Sequence, residues 1–166
     1  MTVKKKLGKK EPRHDPRTLK LSSYFFGPKL PEIPSRKYWY DGVKYGMYKN
    51  DMYGDCTCAS ACNFVRSWSK NANVEIDLPD EAALEAYKAI TGFDPEDPST
   101  DNGAVELDVL KYWQKTGIGG HQIKAFVSVN TRHKEELKAA IALFGGVYVG
   151  LGMPLGWESI EPGTKI

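Results

Sequence analysis

From Cys56 to about Lys70, Cys58, Ala59, Ala61, Cys62, Phe64, Val65 and Trp68 cover most of the circumference of a helix. A helix that is apolar nearly all round belongs in the middle of a domain, wrapped by other elements. Asp55 stands just before it, either as its N-cap or as an acidic group near the positive end of its dipole. The rest of the fold has to be sought in what can cover this helix.

Three further helices are expected. The first spans about 79–90, with Pro79 in its first turn and Gly92 at its stop. The second spans about 104–116, with Val105, Leu107, Leu110 and Trp113 as its apolar stripe and Gly117 at its end. The third spans about 132–144, opened by Asn130 or Thr131 and closed by Gly145-Gly146. Ile123, Ala125, Val127 and Val129 alternate and predict a strand over 121–129, and Val147, Val149, Leu151 and Met153 predict a second over 147–153. Helices come first and strands after, which is an α+β layout. Two strands alone make a poor sheet, so the pattern calls for more strands than it contains.

Ahead of the central helix lie two stretches of different character. Residues 1–36 read as an extended arm, because Pro12, Pro16, Pro28, Pro31 and Pro34 exclude helix and sheet interior alike. Leu30 to Pro34 is expected to run along the body, residues 37–166. The arm opens with eight basic residues against Glu11 and Asp15 in its first 20 positions, a local balance of +6, while the remaining 146 residues balance at −4. It is a solvated tail, an extended arm that wraps the body or a neighbouring chain, or an arm that docks on an acidic partner or nucleic acid. Residues 37–54 are rich in aromatics (Tyr38, Trp39, Tyr40, Tyr45, Tyr48, Tyr53) and can pack as a loop around the core or form a binding surface. No run of 18 apolar residues is present, so no membrane span is expected, and the basic N-terminus lacks the apolar stretch of a secretory signal.

The cysteines narrow the chemistry. Cys56, Cys58 and Cys62 fall within seven residues, without the dispersed even set of a disulfide framework. Zinc sites want a second cluster, and His14, His121 and His133 show no ligand spacing, so metal binding is the weakest reading and no cofactor is expected. Cys58 and Cys62 lie four apart on one helix face and read as small buried hydrophobes. Cys56 stands at the helix N-terminus, where unpaired N–H groups favour the thiolate that a nucleophile needs. It reads equally as a structural cysteine or as that nucleophile.

The segment Asn50-Asp51-Met52-Tyr53-Gly54-Asp55-Cys56-Thr57-Cys58-Ala59-Ser60 resembles the nucleophile motif of papain-like cysteine peptidases, in which a glutamine precedes the catalytic cysteine by six positions and a glycine by two. Gly54 matches the glycine, and Asn50 occupies the glutamine position with an amide one methylene shorter. Thr57 replaces the family's usual tryptophan, as in divergent bacterial and phage members. Downstream, Thr100-Asp101-Asn102-Gly103, then the helix ending Tyr112 to Ile118, is similar to the family's substrate-loop glycines and the helix after them. Gly103 is either a substrate-contacting glycine or a plain loop glycine. Residues 135–151 resemble the family's last helix and first long strand. The resemblance covers about residues 45–155 and lacks the later segment that carries the histidine base and its Asn or Asp partner.

The resemblance implies a papain-like cysteine proteinase fold, its helical half plus the start of the β half. It implies a hydrolase of peptide or amide bonds. Cys56 would be the nucleophile, Asn50 and the Cys56 N–H the oxyanion donors, and Asn102 and Gly103 the substrate loop. Without its base, the chain is expected to be incomplete alone and to seek a protein partner or a second copy, in the cytoplasm of a bacterial host or in a virion. His121, at the head of a strand, is the best substitute base within the chain. The alternative is a non-enzymatic structural or interaction protein, such as a phage virion component, on the same scaffold.

Overall fold

The computed structural model of the chain describes residues 7–24, 33–154, 156, 157 and 160. Among these, the α-helices are α1 (Cys56–Asn71), α2 (Glu81–Thr91), α3 (Glu106–Lys115) and α4 (Lys134–Phe144), and the strands are β1 (Leu19–Lys20) and β2 (Val127–Ser128). The arrangement is α+β and dominated by helix. Each helix begins within about two residues of its expected start. Gly92 and Gly145 end α2 and α4 in the left-handed conformation, at φ of 74° and 81°, where a side chain would be strained.

Helix α1 is central, as its composition requires. Cys58, Ala61 and Cys62 are fully enclosed, and α2 and α3 both pack on it. Ala82, Ala83 and Ala86 of α2 are buried, and such small side chains let the helix axes approach closely. Tyr87, Phe93, Val109, Trp113 and Ile118 fill the remaining space. The apolar circumference is broken at one place. Trp68 is 37% exposed, because its ring stacks on Trp113 at 5.6 Å and its Nε1 donates to the Phe144 carbonyl at 2.7 Å. It tethers the end of α4 to α1 instead of entering the core.

Polar side chains of α1 hold the aromatic loop before it. Asn63 clamps Gly46, accepting from its N–H at 2.9 Å and donating to its carbonyl at 3.0 Å, while Ser67 and Asn71 both donate to the Trp39 carbonyl. Of the loop's aromatics only Tyr48 is fully buried; Tyr38, Tyr40 and Tyr45 are exposed.

Two expectations are corrected. The alternating runs 121–129 and 147–153 do not form long strands. The first keeps only β2, and residues 147–153 are not a strand at all. A strand exists only when a neighbour takes its main-chain hydrogen bonds, and the described residues supply β2 with β1 alone. Val149, Leu151 and Met153 are left exposed.

The arm, secondly, is not a solvated tail where it is described. Lys9 bridges in parallel to Ala104, Arg13 pairs with Asp108, Asp15 accepts from Lys111 at 2.7 Å, and β1 pairs in parallel with β2. Leu21, in the short 3-10 turn Leu21–Tyr24, is buried, and that turn packs on α4. The arm thus runs from just before α3, past Asp108 and Lys111, to β2. Lys4–Lys6, Pro28, Leu30, Pro31 and Glu32 lie outside the described residues. Among the described residues no helix is long and apolar enough to cross a membrane.

Candidate active site

Cys56 is the first residue of α1 and is half-buried, whereas Cys58 and Cys62 are enclosed in the core. What positions it is a buried polar network behind it. Asp101 accepts from the Gly54 N–H at 3.0 Å and from the Tyr87 hydroxyl at 2.8 Å, and that hydroxyl accepts from the Gly103 N–H at 2.7 Å. One tyrosine on α2 therefore fixes the loop before Cys56 and the loop before α3 to each other. Tyr87→Phe removes both bonds and strands the buried Gly103 N–H, which should cost about 1–3 kcal/mol in urea unfolding.

The groove between these loops is filled by the arm. The Ala104 N–H donates to the Gly8 carbonyl at 2.8 Å, and the Lys10 N–H to the Ala104 carbonyl at 2.9 Å. Gly8 is wedged between two glycines. A Cβ on Gly8 would overlap the Gly54 carbonyl oxygen, and a Cβ on Gly103, which sits at φ +73°, would overlap the Gly8 carbonyl. Lys9 lies over Gly150 beside Glu106. Tyr148 closes the floor, its hydroxyl donating to the Thr57 carbonyl at 2.8 Å.

This burial reverses one expectation. The Cys56 thiol pKa is raised, not lowered. Burial is the main cause, opposed by the main-chain N–H groups of Gly8 and Thr57 and aided by the Asp55 and Glu106 carboxylates. The helix N-terminus contributes, but removal from water outweighs it. Burial likewise pushes Cys62 up to about 12.

Of the two expectations for Asp55, the side-chain cap is not made and the acidic group at the start of α1 remains. The Asp55 backbone, at φ −97° and ψ 17°, is not the extended conformation of a capping residue, and its side chain makes no cap bond. It is fully buried, and neither carboxyl oxygen finds a partner side chain. Burial, with Asp101, Asp51 and Asp80 nearby, pushes its pKa up to about 7.

The other expected site residues lie in different surroundings. Asn50 follows two residues in left-handed conformation, Tyr48 and Lys49, and its Oδ1 is buried without a hydrogen bond. Asn102 is exposed, and its amide turns back to the Ser99 carbonyl at 2.9 Å. Gly103 does lie in the groove. His121 lines a small cavity with Val65, Trp68 and Ala72, far along α1. Val65, the nearest of these to Cys56 along α1, is roughly 14 Å of helix away from it. His133 is the residue before α4, 3.9 Å from Glu136, and His14 is held between Arg13 and Asp15 beside α3. The base is expected to lie outside this chain, and His121, the best of three poor substitutes, lines a cavity whose α1 walls, Val65, Trp68 and Ser69, belong to the second half of that helix. Among the described residues no group of three or more His, Cys, Asp or Glu could hold a metal ion.

A second, larger cavity of about 1010 Å³ adjoins the site without including Cys56. Phe64, Leu110, Trp113, Phe126, Phe144 and Tyr148 are among its walls. It lies where the two expected strands would have packed. Comparisons with family models, with curated proteins and with solved structures find no match to this chain.

Proposed function

We propose that the chain is the nucleophile-bearing part of a papain-like cysteine hydrolase, a peptide-binding groove built around Cys56 that lacks a base of its own. One observation carries this: residues 8–10 already lie in the groove, joined to Ala104 by an isolated parallel bridge and two main-chain hydrogen bonds, with the Gly8 main chain against the cysteine at the start of α1. A peptide substrate needs that placement, with its backbone held by main-chain hydrogen bonds beside a thiol. In the reaction the thiolate adds to the carbonyl carbon, the C–N bond breaks as the amine takes up a proton, and water then hydrolyses the thioester. The proton has to come from a histidine supplied by another polypeptide segment, since general acid–base help is worth roughly 10²–10⁴-fold.

A non-enzymatic interaction protein on the same scaffold is the second reading. The raised thiol pKa and the large apolar cavity favour it. Purified chain is expected to turn over no generic peptide or amide substrate beyond its Cys56→Ala variant. Robust turnover abolished by Cys56→Ala would require a base within the chain and would overturn the incomplete-site reading. Iodoacetamide separates the two functions. Faster alkylation of Cys56 than of free thiol at pH 6, once the arm is displaced, supports the hydrolase, and an inert thiol supports the interaction protein.

A further inference from the structure

We propose that the groove over Cys56 is selective for an extended peptide carrying glycine followed by a basic residue, and that Gly8-Lys9 is a built-in, displaceable occupant of that class. The inference rests on the peptide-groove reading above and adds what the groove accepts. The selectivity is steric at one position and electrostatic at the next.

At the first position the walls are two main chains. Gly54 is fixed from behind by Asp101, and Gly103 by the Tyr87 hydroxyl, so neither can retreat without breaking a buried hydrogen bond. Between them the Gly8 Cα passes with no room for a side chain, because any Cβ would run into the Gly54 carbonyl. A collision with a side-chain tip can be relieved by a rotamer change; a collision with a tethered main chain cannot. The glycine requirement therefore belongs to the groove and would apply to any chain laid in it.

At the second position Lys9 lies across Gly150, where a Cβ would collide with the lysine stem, and beside the half-buried Glu106. Burial raises the Glu106 pKa and the Lys9 charge opposes that rise, so the lysine relieves a carboxylate that burial disfavours. The main-chain bonds from Ala104 and Lys10 hold the occupant without reading its sequence. The arm competes as an intramolecular ligand, so an external peptide meets an occupied groove.

The test uses the full chain with Gly8→Ala, which the groove should expel, and separately Lys9→Ala, which loosens the arm without touching the packed glycine. Alkylation of Cys56 by iodoacetamide is followed by mass spectrometry. Both variants should label at least tenfold faster than the parent. The peptide Leu-Gly-Lys-Lys, the chain's own residues 7–10, should restore protection. Leu-Ala-Lys-Lys should not protect, and Leu-Gly-Glu-Glu should protect at least tenfold less well than Leu-Gly-Lys-Lys. Equal protection by the glycine and alanine peptides would overturn the steric selectivity. No protection by any peptide, or unchanged labelling in both variants, would overturn the proposal altogether. Because the readout is protection, selective protection of a thiol that stays inert once the arm is displaced sinks the hydrolase and leaves the groove standing, whereas a reactive thiol that no peptide protects does the reverse.

Discussion

Asp55→Asn is expected to stabilise the protein at pH 8 and to remove most of its stability loss between about pH 4 and pH 7. The folded-state pKa of Asp55 is about 7, against an ordinary value of 3.8. Because the folded value is the higher one, the native state holds the proton more tightly than the unfolded chain does. The stabilising contribution is fully present below the unfolded pKa and is lost as pH rises through the folded one. Every tenfold difference in proton affinity between the two states is worth about 1.4 kcal/mol, so an upper bound of about 4 kcal/mol separates the two limits, and relaxation of the loop brings the expected gain at pH 8 nearer 2 kcal/mol. The opposing effect is the attraction of a carboxylate to a helix N-terminus, worth about 0.3–1 kcal/mol at exposed sites, too small to win against burial beside three other aspartates. Asparagine keeps the volume and carries no charge. Urea unfolding of both proteins from pH 4 to pH 8 gives the result directly. A parallel slope in parent and variant would mean that Asp55 is not the titrating group. The same substitution takes a negative charge from beside Cys56, so its alkylation should also speed up at pH 8.

Asp55 escaped a reading of the sequence for a physical reason. Locally, an aspartate before a helix is a cap, and nothing within ten residues says otherwise. Asp55 is fully buried, and of the carboxylates that raise its pKa, Asp101 and Asp80 are distant in sequence and come near only through folding. Helix α1 was legible because its burial is written as a periodicity, and the helix stops were legible because Gly92 and Gly145 take backbone angles that other residues resist. The strands at 121–129 and 147–153 were legible as patterns and still failed as strands. Alternation states which face a segment would bury, but not whether a partner exists to accept its hydrogen bonds. The arm's prolines made its extended course legible, and wrapping of the body was one of its expected roles. Its path was not legible, because the fit of Gly8 depends on Gly54 and Gly103, which are distant in sequence.

The other large effect should come from the core between the two cavities. Trp113 is almost fully buried, stacks on Trp68 at 5.6 Å, and lies on the wall of both the small cavity by His121 and the large one beside Tyr148. Truncation to alanine removes a large apolar side chain that its surroundings cannot replace, because the space around it is already under-filled. Such changes cost about 3–5 kcal/mol, and here the two cavities, about 320 Å³ and 1010 Å³, would become continuous. Trp113→Phe makes the informative contrast. The Trp113 Nε1 is buried and has no hydrogen-bond partner among the described residues, so phenylalanine discards a polar group that burial disfavours while keeping a ring against Trp68 and Phe64. Its cost should be within about 1.5 kcal/mol, the range for well-tolerated apolar exchanges. Urea unfolding followed by near-ultraviolet circular dichroism separates the two variants. If phenylalanine costs as much as alanine, the indole N–H has a partner in solution, and a water bridging it into the large cavity becomes the explanation to test.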